Sequence, residues 1–167
     1  MLSLPHRFGP TDFADTDHGR MRQDETPAAR VRTTMGNGMK VIVIRQPWAW
    51  LIVHGFKDIE NRGWATRYRG TLLIQASAGR PSKCRLDAIR LFARKRGVEL
   101  PEEFEHGGIV GSVQLEDCVT SSRSQWFEGP IGWVLSKPER LRFIPLKGRL
   151  GLFDPPPIVL SQLHRRG

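Results

Sequence analysis

Past residue 38 the chain alternates short apolar runs with turn-forming punctuation, and each run has a readable period. Lys40-Val-Ile-Val-Ile-Arg45 is an unbroken β-branched stretch, which predicts a buried strand. In Gln46-Pro47-Trp48-Ala-Trp-Leu-Ile-Val-His-Gly55, the residues Trp48, Leu51 and Ile52 repeat at the spacing of one helix face. Pro47 suits the first helical position and Gly55 the residue just past the end, so a short helix is predicted there. Phe56–Arg62 reads as a turn leading into a strand, and Gly70–Ser77 as a second buried strand. Ser82 can cap a helix over Lys83–Arg96, with Leu86, Ile89 and Ala93 as its apolar stripe and Gly97 as its stop. Gly108–Cys118, Ile131–Ser136, Arg140–Pro145 and Arg149–Phe153 are strand-like, parted by Gly129-Pro130, Lys137-Pro138 and Lys147-Gly148. A set of about six to seven short strands with two early helices predicts an α+β fold, a small closed or nearly closed barrel with helices against one side. Helices do not alternate with the later strands, which disfavours a doubly wound parallel sheet.

The two ends of the chain read differently. Residues 1–38 carry Pro5, Pro10 and Pro27, scattered glycines and mixed charges without apolar periodicity. Such a stretch buries too little apolar area to offset the entropy of ordering it, so a flexible, disordered arm is expected, with at most a short helix around Arg20–Arg32. The domain is expected to span 39–154. Residues 155–167, opening on Pro155-Pro156-Pro157, are expected to leave it as a Pro-rich basic tail.

Composition narrows the function classes. The 167 residues are 39% apolar, enough for one domain plus some extra chain. No window approaches about 18 consecutive apolar residues, and the first residues hold no apolar core of signal-peptide length; no membrane association is expected. Cys84 and Cys118 form neither a disulfide framework nor a metal pair, and a reducing, cytoplasmic setting is the plain expectation. The net charge is +9. Residues 1–38 hold five Arg and five acids, so all of the excess sits in the remainder, as 21 basic against 12 acidic side chains. A compact basic domain attracts polyanions through its long-range field and through counterion release, although many small soluble proteins are basic without binding nucleic acid.

His6, His18, His54, His106 and His164 are scattered without metal-ligand spacing, so no metal and no cofactor are expected. A Walker-type phosphate loop, a GxGxxG after a strand and a GxSxG elbow are all missing, which disfavours standard nucleotide-hydrolysing, dehydrogenase and hydrolase-elbow chemistry. The densest polar cluster is Gly55-Phe56-Lys57-Asp58-Ile59-Glu60-Asn61-Arg62, set between the apolar runs 41–53 and 71–76. On a strand, Glu60 and Arg62 share a face, and Lys57 falls in the turn. These charges need either solvent, as a surface ion pair, or each other and a ligand. A second basic feature is the polar side of the Lys83–Arg96 helix: Lys83, Arg85, Arg90, Arg94, Lys95 and Arg96 are opposed only by Asp87. It reads as a solvated face or as a surface that tracks a nucleic-acid backbone, which Arg67, Arg69, Arg140, Arg142 and Arg149 could extend.

Gly55-x-Lys57-x-x-Glu60-x-Arg62 matches the GxKxxExR motif of the ASCH domain, a branch of the PUA-like superfamily. Gln46-Pro47-Trp48-Ala49 before it, Trp64 after it, Arg69-Gly70, Gly111–Cys118, Gly132–Leu135 and Pro145–Gly148 follow in the order that family shows. The chain resembles it over roughly 39–154, and in particular the C-terminal ASCH domains of thyroid-receptor-interacting transcription coactivators. The resemblance implies a PUA-like β-barrel with a cleft lined by the motif, and RNA, another nucleic acid or a nucleoside-type ligand as partner. Gln46, Trp48, Lys57, Glu60, Arg62, Arg69, Trp133, Lys147 and Gly148 are the residues it places at that cleft. Trp48 and Trp133 are the candidate stacking surfaces, with core packing as the alternative for each. Some small members are hydrolases, an amidohydrolase on N4-acetylcytidine and a ribonuclease. An enzyme of that kind would use Lys57 and Glu60. Lys57 matches the amidohydrolase's Lys, but Glu60 stands where its Thr does, which weighs against direct transfer of the mechanism.

Overall fold

A computed structural model describes residues 38–164; residues 1–37 of the expected arm, its possible helix at Arg20–Arg32 and the last three residues of the tail lie outside them. Five strands and three helices follow in the order β1 (Lys40–Ile44), α1 (Trp48–Val53), β2 (Ile59–Arg62), β3 (Gly70–Ala76), α2 (Lys83–Arg94), β4 (Gly108–Val119), β5 (Ile131–Pro145) and α3 (Pro157–His164). The strands form one mixed sheet ordered β1-β3-β4-β5-β2. β1 and β3 are parallel, joined by the crossover that carries α1 and β2, and every other pairing is antiparallel. This curled half-barrel with flanking helices is the α+β, PUA-like architecture expected of the sequence.

Curling needs places where strands bend and where bulk is absent. The β4–β5 ladder shifts register at three points, each shift adding local twist. A Cβ added at Gly111 would run into the Glu139 carbonyl and Val53, and one at Gly132 into Ile59 and Phe127, so two close approaches require glycine. The sheet alternates faces with the two-residue period. Ile42, Ile44, Leu72, Ile74 and Ala76 pack with α1 through Ala49, Ile52 and Val53. Val41, Leu73, Ile109 and Ile144 pack on the other face with Val159 of α3. A third cluster joins Leu51 of α1 and Ile59 of β2 to Ile89 and Ala93 of α2 and to Trp126.

Three expectations are corrected. Ile131–Ser136 and Arg140–Pro145 are one strand, because Lys137 adopts φ 47° and the resulting bulge bends the chain without ending it. Arg149–Phe153 is no strand: Phe153 makes a single antiparallel bridge with Val41. The tail does not leave the barrel either. Its three prolines lead into α3, which holds Val159 fully buried against the outer sheet face. Among the described residues no helix is long and apolar enough to cross a membrane.

Candidate functional site

The site begins with how α1 stops. Gly55 takes φ 79°; its N–H donates to the Ile52 carbonyl at 3.0 Å and that of Phe56 to Leu51 at 2.9 Å, a Schellman closure. The Lys57 N–H reaches the same Leu51 carbonyl at 3.1 Å, and this reversal turns the Lys57 side chain inward. Lys57 is only 4% exposed. Its Nζ donates to the Ile59 carbonyl and, at 3.0 Å, to Glu60 Oε2. The solvated-turn alternative is thereby overturned: the pair is buried, with Glu60 13% exposed.

Glu60 and Arg62 do share a face of β2. The Glu60 carboxylate lies between the two cations, its Oε1 3.6 Å from Arg62 Nε. That separation attracts electrostatically but exceeds hydrogen-bond length, and Arg62 Nε is buried without a hydrogen-bond partner. Arg62 Nη2 donates to the Val43 carbonyl at 3.0 Å. β1 and β2 are the two edges of the curled sheet, so Arg62 reaches across the open seam between them. Val43 has the parity of Val41, whose N–H and carbonyl both pair with Phe153. Its own N–H therefore faces the seam and finds no acceptor among the described residues.

Trp48 stands at the inner end of this seam. Its half-buried ring packs edge-on against Phe92 at 6.0 Å and Trp126 at 6.5 Å, which fixes its plane. Three cavities border it. The largest, about 590 Å³, runs along Ile42–Arg45 past Glu60 and Arg62 to the 148–151 loop. A second, about 350 Å³, lies over Arg45, Arg80 and Arg85. The third, about 260 Å³, holds Lys57, Glu60, Asn61, Arg85 and Glu128. The walls thus carry Arg45, Arg62, Arg80, Arg85 and Arg149, together with Lys57, against the carboxylates of Glu60 and Glu128.

The other expected site residues divide. Gln46 is 3% exposed and acts as a clamp: Nε2 donates to the Glu105 carbonyl at 2.9 Å and Oε1 accepts from the Trp50 N–H at 3.0 Å. Trp133 is fully buried, its Nε1 donating to the Trp64 carbonyl at 3.0 Å, so it offers no face for stacking and belongs to the core. Arg69 is not at the cleft. It holds the Thr66 and Tyr68 carbonyls and pairs with Asp117 at 2.6 Å, which keeps the Asp117 carboxyl below its usual range. Gly148 lines the large cavity, whereas Lys147 stands with it on a further cavity beyond β1.

The basic helix is less uniform than its sequence suggests. Arg90 donates to the carbonyls of Leu100, Pro101 and Glu102. Arg94 pairs with Glu99 at 2.7 Å and holds that carboxyl below its usual range. Arg96 donates to the carbonyls of Gln125 and Phe92, its guanidinium 3.4 Å from the Phe92 ring centre. Lys83, Arg85 and Lys95 make no ion pair among the described residues. Sequence reasoning missed Arg45, Arg80 and Glu128. Arg45 and Arg80 carry a signal, since each ends a buried strand or its following turn just before a helix cap, at the strand-end rim where a cleft opens. Glu128 reaches the site only through its N–H on Asn61 Oδ1 at 2.9 Å, a tertiary contact with no local signature.

A profile of the ASCH domain matches residues 42–142. Activating signal cointegrator 1 of Homo sapiens is 33% identical over 117 residues, 63% of this chain and 20% of that protein. The protein of the same name from Mus musculus is 39% identical over 85 residues, 49% of this chain and 15% of that protein. The chain therefore spans a fifth or less of these relatives. The crystal structure of ASCH from Zymomonas mobilis superposes with a TM-score of 0.48 at 17% identity, covering 77% of this chain and 94% of that one. With the motif, the elements around it and more than half of the chain matched, this chain belongs to the ASCH domain family.

Proposed function

We propose that this domain is a non-catalytic module that binds single-stranded RNA, or the nucleotide units of another nucleic acid, along the seam between β1 and β2. Trp48 carries the reading: one half-buried indole borders three cavities whose walls hold five arginines. An indole face stacks an unpaired base, a contact of about 1–3 kcal/mol. Guanidinium forks around it suit phosphate oxygens, and the open Val43 N–H adds a neutral donor. The net charge of +9 supplies the long-range attraction and the counterion release.

A hydrolase on the same fold would need Lys57 Nζ or the Glu60 carboxylate at the reacting atoms. Lys57 Nζ instead spends its donors on Glu60 and the Ile59 carbonyl, out of solvent, and Glu60 is held between two cations. A group that must first leave such partners is a poor nucleophile or base, so the geometry favours binding. Titrating a labelled single-stranded RNA with the protein and with Trp48→Ala tests the reading. A parallel assay without metal follows N4-acetylcytidine and the RNA for product. Weakened binding by Trp48→Ala without turnover is expected. Turnover abolished by Lys57→Met would replace the reading with the hydrolytic one.

A further inference from the structure

A fourth cavity, about 620 Å³, lies beyond the β1 edge between that strand and the 145–148 loop. Its wall contains Gln75, which is 1% exposed. Gln75 pairs with Val43 in the β1–β3 ladder and lies on the sheet face opposite Ile42, Ile44, Leu72 and Ile74. Its Nε2 donates to the Leu146 carbonyl at 2.5 Å, and this bond decides which way the amide faces. Oε1 is then left buried without a donor among the described residues. A buried acceptor left unpaired is costly, and because the Gln75 side chain forms part of the cavity wall, a shift of its amide toward the cavity lets a ligand's N–H satisfy Oε1.

The rest of the cavity has a matching character. Val43, Ala78, Pro145 and Leu146 give apolar walls, and Lys147 is exposed without an ion pair among the described residues. Val43 and Gly148 border both this cavity and the large one beside Trp48. A Cβ on Gly148 would lie 3.2 Å from Val43 Cγ2 and 3.4 Å from Gln75 Nε2, so a side chain there would crowd the passage between them. We propose that this cavity is a second nucleobase subsite, in which Gln75 Oε1 accepts an N–H of the base and Lys147 meets the adjoining phosphate. The inference rests on the seam being a nucleotide site, and it extends that site so that neighbouring nucleotides of one strand straddle Gly148.

Uridine tests it cleanly, because N3–H is the only donor on its base. Hexauridylate and its N3-methyluridine counterpart are titrated against the protein and two variants. N3-methylation should weaken binding to the wild-type protein about tenfold, the size of one hydrogen bond to an otherwise unpaired group. Gln75→Leu, similar in volume and unable to accept, should bind hexauridylate correspondingly less well and no longer distinguish the methylated strand. That variant also frees the Leu146 carbonyl. Ala78→Leu therefore serves as a second probe, since it fills the cavity from an exposed rim and leaves the Gln75–Leu146 bond in place. It should weaken hexauridylate binding with the melting temperature unchanged. A penalty for N3-methylation that persists in Gln75→Leu would overturn the assignment of Gln75. Binding lowered by Trp48→Ala but indifferent to Gln75→Leu and Ala78→Leu would remove the second subsite and leave the seam reading standing. No binding of hexauridylate at all would remove both.

Discussion

Arg62 on β2 donates through Nη2 to the carbonyl of Val43 on β1, 3.0 Å away, so one guanidinium spans the two end strands of the sheet. The same side chain faces the large cavity beside Trp48. Arg62 therefore contributes both to closing the half-barrel and to the charge of the seam. Arg62→Met should cost about 1.5–3 kcal/mol of stability, the range for a hydrogen bond from a charged donor, and should also weaken RNA binding. Arg62→Lys should recover part of the affinity but little of the stability, because an ammonium lacks the planar fork that reaches the carbonyl. Urea denaturation and RNA titration of the two variants separate the roles, and unaltered stability in both would remove the seam tie.

Lys57 and Glu60 should respond unequally to loss of the other. Removing Glu60 leaves a buried ammonium with only the Ile59 carbonyl. Removing Lys57 leaves a carboxylate that still has Arg62 Nε at 3.6 Å. Breaking one side of a buried pair costs about 3–5 kcal/mol. Glu60→Gln keeps an oxygen acceptor for Lys57 but removes the compensating charge, so it should fall at the lower end of that range. Lys57→Met should fall below it, since methionine keeps much of the packing against Trp48. The double variant Lys57→Met/Glu60→Gln should be more stable than the sum of the singles predicts. Chemical denaturation of the three proteins decides it, and equal, additive losses would show that the pair is not coupled.

The tryptophans sort in the same way. Trp133 is fully buried, and truncating it to Ala should cost about 3–5 kcal/mol and threaten the fold. Trp48 keeps one side on the cavities, so Trp48→Phe should retain packing against Phe92 and Trp126 while losing stacking area. A weaker affinity with a melting temperature close to wild type is expected for Trp48→Phe. An affinity unchanged while stability drops would return Trp48 to the core.

Much of this was legible in the residues. The end of α1 at Gly55 and the shared face of Glu60 and Arg62 are local consequences of φ freedom and strand parity, and they stand in the structure as expected. Local reasoning failed where partners come from far along the chain. The burial of Lys57 depends on α1 and β2 packing against Trp126 and α2, which no window around Lys57 contains. The polar side of α2 looked uniformly free, yet Arg90 and Arg96 find carbonyls 10 to 29 residues away. The Pro-rich tail read as a departure because prolines end helices, but Pro157 occupies the first position of α3, where the missing N–H costs nothing. A bulge at Lys137 kept one strand whole where the Lys-Pro pair suggested two.

His54 gives a pH dependence whose sign is fixed. Its ring stacks on Trp50 at 4.0 Å, and Nδ1 donates to the Trp50 carbonyl at 2.8 Å. Burial lowers its pKa from 6.5; the Trp50 carbonyl opposes this and the charge of Arg140 adds to it. In the window just below 6.5 the unfolded chain then binds more protons than the folded one, so stability rises with pH. His54 contributes fully above 6.5, and that contribution is lost as the pH falls through the lower, folded value. The lowered Asp117 and Glu99 carboxyls act in a separate, more acidic window. The melting temperature should fall on acidification from about pH 7.5 to 5.5, and His54→Gln should flatten that fall. A slope identical in the two proteins would assign it elsewhere.

Salt dependence can distinguish cations that face the seam from those already engaged. Arg85 borders two of the three cavities at Trp48 and makes no ion pair among the described residues. Arg94, nine residues further along α2, is paired with Glu99 through two hydrogen bonds of 3.1 and 2.7 Å. Net charge alone would make the two interchangeable, since either substitution removes one positive charge from the domain. Counterion release does not treat them alike, because it counts only cations that sit on phosphates, at about −0.7 in log affinity per log salt for each contact on a single strand. Arg85→Gln should therefore make the slope shallower by roughly that amount and weaken binding at low salt. Arg94→Gln should lower affinity slightly through the long-range field and leave the slope unchanged within error. Titrating labelled single-stranded RNA at four or more salt concentrations measures both. If the two variants lose the same slope, the strand lies diffusely over α2 and the Trp48 seam is not where its phosphates are held.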